Sequence, residues 1–132
     1  MARSVLLQLV RDSMLEVFQA KRNIDKVKLL QDYPVLAEAM NVKVAIYLDA
    51  KLKNSYTTTN NDSLLENILI ASKKAAFEDE KHPPLSVSGY LHAEIELTLF
   101  GSEGDMSEKD PPLLQDDNPM SILAYEESLK TN

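Results

Sequence analysis

Apolar residues recur along this chain at two periods, and the two periods mark out its elements. Leu6, Leu9, Val10, Met14, Val17 and Phe18 fall three and four apart. That is one face of a 3.6-residue repeat and predicts an amphipathic helix over 4–21, with Arg11, Asp12, Glu16 and Gln19 toward water. Lys21 and Arg22 suit the negative end of its dipole. A second helix is predicted over 63–78. Its inner stripe is Leu64, Leu65, Ile68, Leu69, Ser72, Ala75 and Ala76, and Ser63 with Glu66 has capping-box spacing, Asp62 being a rival cap. Between the helices, Val42, Val44, Ile46 and Leu48 alternate with Lys43, Ala45 and Tyr47, the period of a half-buried strand.

The clearest alternation comes later. Leu91, Ala93, Ile95, Leu97 and Leu99 take turns with His92, Glu94, Glu96 and Thr98. A strand with one fully polar face belongs to an antiparallel sheet open to water on one side. Asp49, Ala50 and Lys51 form a plausible turn after the first strand, leading into "LKNSYTTT". That segment is β-prone but polar and suits a sheet edge, where Lys51 and Lys53 discourage pairing with other chains. The connection "RNIDKVKLLQDYP" has room for one helical turn, and Pro34 can open a short helix through Met40. The fold class is therefore α+β, a small antiparallel sheet packed against two main amphipathic helices.

The abrupt stop "AAFEDEKHPPL" is explained by its prolines. A residue before proline is pushed out of the helical region, so His82 is extended and the helix ends before it. After Phe100 the composition shifts to Gly, Ser, Pro and acid, and little fixed structure is expected, except a short helix over 120–129 opened by Asn118 and Pro119. This divides the chain into a core over 1–100 and an acidic tail over 101–132. The core holds 13 acidic and 12 basic side chains and the tail 8 acidic and 2 basic, so most of the net charge of −7 sits in the tail.

No basic stripe exists, which argues against nucleic acid. No apolar run approaches the ~18 residues of a membrane span, and the start lacks the unbroken apolar stretch of a signal peptide. The absence of cysteine removes thiolate chemistry and fits a reducing compartment. A cytoplasmic protein is expected. The three glycines, at 89, 101 and 104, cannot form a phosphate loop, and nothing implies a cofactor.

The order of elements and the motifs at the corner resemble the AMMECR domain, also called AmmeMemoRadiSam system protein A. Members carry a helix ending in Ala-Ala-Phe, an Asp, a basic–aromatic–Pro-Pro-Leu corner and a strand of Ile-Glu-Val-Ser-Val type. Ala75-Ala76-Phe77, Asp79, Lys81 to Leu85 and Glu94 to Leu99 match that pattern, with His82 where the family prefers Phe. "ARSVLLQLV" and "LLQDYPVL" are also family-like, so the resemblance covers 2–100. The family signature Leu-Arg-Gly-Cys-Ile-Gly, placed after the first strand and its turn, is missing. "KLKNSYTTTNN" stands there, and Leu52 alone fits. The family's glycine-rich second portion is also missing. The family has no settled activity, and its name associates it with a Memo-type protein and a radical S-adenosylmethionine protein.

Two functions from different classes follow. The first is a non-enzymatic protein-binding or assembly module, using the edge over 53–59 and the tail helix, with a protein partner or self-association. The second is a metal-dependent or acid/base enzyme. His92, Glu94 and Glu96 at i, i+2 and i+4 of one strand face could offer an imidazole and two carboxylates to a metal. A solvated polar sheet face is the ordinary meaning of the same alternation. Asp79 and His82 at the corner could act as a general acid and base, although acids at a helix C-terminus usually sit in water. Ser55, Tyr56 and Thr57 to Thr59 supply hydroxyls, but a nucleophile needs a positioned base, and no histidine is brought near them by sequence.

Overall fold

The computed structural model describes residues 3–78 and 82–114. Helix α1 (Val5–Gln19) leads to α2 (Lys26–Asp32) and a single 3₁₀ turn, Pro34–Ala37. Strands β1 (Asn41–Leu48) and β2 (Lys51–Thr57) form a hairpin, followed by α3 (Leu64–Phe77) and α4 (Val87–His92). The strands β3 (Glu94–Gly101) and β4 (Gly104–Asp110) complete a four-stranded sheet of order β2-β1-β3-β4. Every neighbouring pair is antiparallel. The α+β class expected from the two periods is the class observed. No helix among the described residues is long and apolar enough to cross a membrane.

Local chemistry explains most boundaries. Ser4 caps α1 by accepting the Leu7 N–H at 3.2 Å, and the helix ends where Ala20 turns left-handed at φ 54°. Ser63 caps α3 through the Glu66 N–H at 3.2 Å, and Asp62 accepts from the Ser63 N–H instead. The Glu66 carboxylate does not turn back to the cap. It pairs with Lys26 at 2.8 Å, so half of the expected capping box forms. The β1–β2 turn is two residues, Asp49 and Ala50, both at positive φ (52° and 63°). Positive φ at both central positions matches the right-handed twist of a hairpin. One extra residue in β2 opposite Ile46 and Tyr47 makes an irregular step in the ladder, a device that makes an edge strand a poorer template.

The core lies between one face of the sheet and the helices. Val42, Val44, Ile46, Ile95 and Leu97 meet Leu9, Val10, Met14, Leu65 and Ile68 in one cluster. Ala71, Ser72, Ala75 and Ala76 on α3 are small and buried, which allows close approach of neighbouring elements. The Ser13 hydroxyl donates to the Leu69 carbonyl at 3.0 Å, joining α1 to α3.

Four expectations are corrected. Residues 87–92 form a helix, capped by Ser86 through the Gly89 N–H at 2.9 Å, so the strand begins at Glu94 rather than Leu91. Residues 104–110, expected to lack fixed structure, pair with β3 from Ile95 opposite Asp110 to Gly101 opposite Gly104. The ordered fold thus continues past residue 100, and the proposed division at that point cuts through the sheet. The inner face of α1 is rotated, with Val17 exposed and both Arg11 and Glu16 buried. Arg11 is 1% exposed. It donates from Nε to Asp110 at 2.7 Å, from Nη1 to the Tyr90 carbonyl at 2.8 Å, and from Nη2 to the Ala93 and Pro111 carbonyls at 2.9 and 3.2 Å. Arg3 adds a second pair to Asp110 at 2.8 Å. The tail helix expected over 120–129 lies outside the described residues.

Candidate functional site

Strand alternation sends one set of side chains into the core and leaves a second set on the opposite sheet face. The register defines that second face. Tyr47 stands opposite Leu52 on one side and Glu94 on the other. Ala45 lies between Ser55 and Glu96, and Glu96 faces Lys109. Lys43 lies between Thr57 and Thr98, and Thr98 faces Ser107.

The face is knitted by polar contacts. The Tyr47 hydroxyl donates to Glu96 Oε1 at 3.3 Å. The Thr98 and Ser107 hydroxyls share a 2.9 Å hydrogen bond, and Lys109 approaches Glu94 at 3.9 Å. Burial, followed by the Glu96 charge and its hydrogen bond and by Glu94, pushes the Tyr47 phenol above its ordinary value. It is therefore kept as a donor. Leu52 is the conspicuous apolar group here, 56% exposed beside Tyr47.

The proposed metal ligands are not gathered. His92 is the last residue of α4, and Ala93 leaves the helix before β3 begins. The strand phase that would place His92 with Glu94 and Glu96 therefore does not apply to it. The His92 Nδ1 lies 2.8 Å from the Ser88 carbonyl, one helical turn back. A carbonyl only accepts, so this nitrogen carries the proton. Glu94 and Glu96 remain on the sheet face, bound to Lys109 and Tyr47. Among the described residues no group of three His, Cys, Asp or Glu side chains is placed to hold a metal ion.

The proline corner has an architectural job. Leu85 is 3% exposed, and its N–H donates to the Ala76 carbonyl at 2.8 Å, folding the link back on the end of α3. The Pro83 carbonyl accepts from Lys53 at 3.1 Å. His82 is exposed, and Asp79 lies outside the described residues.

The segment over 53–59 does occupy the sheet edge. Asn54 donates to the Ala75 carbonyl at 2.9 Å, and Tyr56 lies under the Lys74 ammonium at 5.6 Å. Thr58 is buried. Its hydroxyl accepts from the Val42 N–H at 3.0 Å and donates to Asn41 at 3.1 Å, which closes the end of the β1–β2 pair. A hydroxyl engaged in this way is a structural clasp and not a nucleophile. Sequence reasoning missed Lys109, because β4 lacks the alternation that marks a half-buried strand. It placed Tyr47 on the correct face.

No family model matches the chain, and no curated protein matches it. Among solved structures the chain is similar to the uncharacterised protein PH0010 from Pyrococcus horikoshii, with a TM-score of 0.63 and 22% identity over 71% of this chain and 48% of that one. At that identity the likeness is one of fold. The aligned part spans about half the length of that protein.

Proposed function

We propose that this chain is a protein-binding or assembly module, built on an AMMECR-like scaffold without the family's signature loop. The observation that supports it is the sheet itself. One face packs on the helices, and the other presents Tyr47 and exposed Leu52 at its β2 corner, flanked by Glu94 and Glu96 on β3, with Lys43 and Lys109 farther across the face. An aromatic and an aliphatic group side by side, with charged groups on their flank, are the kind of residues that anchor a contact surface. The β2 edge extends this surface, and its bulge and lysines favour side-chain contact with the face over addition of another strand.

Capture from the native cell with the full chain and with a Leu52→Glu variant tests this reading. Leu52 is largely outside the core, so the variant keeps its fold, which circular dichroism verifies. A specific protein retained by the parent and lost by the variant is the expected result. Equal capture by both, or no specific capture, overturns the reading. A truncation used alongside should end at Leu114 rather than Phe100, since removal of 101–114 also removes β4 and Asp110.

A further inference from the structure

On the helical side of the molecule a cleft of about 510 Å³ opens between the first half of α1 and the segment over 23–33. That size is in the range of ordinary small-molecule sites, roughly 300–1,000 Å³. Its apolar lining comes from Val5, Leu9, Ile24 and Leu29. Its polar lining includes Asp12 on α1 and Lys28 on α2, with Tyr33 beyond.

Most other charged groups of the cleft already have work. Arg3 binds Asp110 and Gln8. Asp25 caps α2 through the Lys28 N–H at 3.1 Å. Asp12 and Lys28 differ from these. The Asp12 carboxylate receives one hydrogen bond, from the Gln8 amide at 2.8 Å, and among the described residues neither it nor the Lys28 ammonium joins an ion pair. Burial pushes the Asp12 carboxyl above its ordinary value. The Gln8 hydrogen bond and the Arg3 charge oppose that push, and Glu16 one turn away adds to it. The cleft thus sets an anion on one wall, which feels the Arg3 charge but forms no ion pair with it, and a cation without an ion pair on the other, across an apolar lining.

We propose that this cleft binds a small zwitterion with an apolar body, of the apolar amino-acid or dipeptide kind. The ligand ammonium would meet Asp12, its carboxylate Lys28, and its side chain the surface of Val5, Leu9, Ile24 and Leu29. A partly desolvated carboxylate gains more from an added cation than an exposed one, because water screens the contact less. No side chain of α2 is buried, so the wall that carries Lys28 can adjust to the ligand at small cost. This site is separate from the sheet face, and either can fail without the other.

Calorimetric titration of the full chain with L-leucine and Leu-Leu, beside leucinamide and N-acetyl-leucine, tests the assignment. At least one zwitterion binds saturably, and loss of either ligand charge weakens binding about tenfold, as expected for one charge-assisted contact. Asp12→Asn weakens leucinamide and the zwitterion but spares N-acetyl-leucine. Lys28→Met does the reverse for the single-charge probes. Absence of saturable binding by both zwitterions overturns the proposal. So does N-acetyl-leucine binding as tightly as leucine, or unchanged binding in both variants. Lys28 lies on an element with no buried residue, so its variant stays informative even if the Asp12 variant alters the fold.

Discussion

Replacing Arg11 with Met should be the most damaging single change of a charged residue in this protein. The side chain keeps much of its length and loses its charge. Asp110, 4% exposed, would then keep Arg3 as its one ion-pair partner among the described residues, and the Arg3 side chain is 27% exposed. The Tyr90, Ala93 and Pro111 carbonyls would each lose the Arg11 donor. Breaking a buried ion pair from one side costs about 3–5 kcal/mol. Orphaned buried acceptors cost about 1–3 kcal/mol each, but these penalties overlap with the first, and water can reach Pro111 at the rim. About 4 kcal/mol is the reasoned loss, a large share of the roughly 5–15 kcal/mol that holds a domain folded. For a chain of this size that lowers the Tm by roughly 10–20 °C. Urea unfolding followed by circular dichroism measures it, with Asp110→Leu and the double variant completing a cycle. Since an apolar pair can replace a buried ion pair at little cost, the double variant should be more stable than Arg11→Met alone. A loss below about 1 kcal/mol for Arg11→Met, or simple additivity in the cycle, would refute the claim that the two residues act as a desolvated pair.

Two further effects concern pH. The folded Asp12 carboxyl lies above its unfolded value, so the stability it contributes is present at low pH and lost as pH rises through the folded value. Asp12→Asn should therefore raise the Tm at pH 7 and leave it nearly unchanged near pH 3; a lower Tm at pH 7 would contradict the assignment. Glu16 behaves oppositely. Burial opposes its charge, but hydrogen bonds from the Ile24 and Asn23 N–H groups and from Lys73 outweigh it and hold the carboxyl below the usual range. Its stabilisation is present above the unfolded value and is lost as pH falls through the folded one. Glu16→Gln should be less stable than the parent at pH 7 and flatten the acid limb of a Tm–pH curve, and a parallel curve would exclude this role.

The parts of the fold that show in the sequence are those governed by local rules. The helices α1 and α3 carry a stripe long enough to fix their type, and β1 and the body of β3 alternate cleanly. The hairpin turn and the edge position of β2 were also legible, because turn residues and edge lysines act locally. What was hidden depends on partners far along the chain. The sequence of β4, "GDMSEKD", looks like a linker, since just one of its residues, Asp110, is buried. Its strand state comes from backbone pairing with β3 and from an ion pair 99 residues away. Arg11 looked solvated because its partner cannot be inferred from the spacing on α1. The six residues of α4 contain a glycine and are too few to display a period. At the candidate site, Tyr47, Glu94 and Glu96 followed from alternation. His92 did not, because the alternation runs on formally through a helix.

The Arg11 cluster also bears on how the chain comes to be folded during its synthesis. The guanidinium lies on the first helix, and its carboxylate is the last residue of the last described strand. Until that residue has left the ribosome, docking α1 on the finished core would bury a cation without its counter-ion. The helix can form early, but its docked position gains the Asp110 counter-ion only after roughly a hundred further residues have been made. At a synthesis rate of ~5–20 residues per second, that is a wait of several seconds with an apolar stripe uncovered. The ion pair that joins the first helix to the last described strand therefore ties the full stability of the α1 position to the end of synthesis, and a nascent chain with α1 undocked exposes apolar surface of the kind that aggregates.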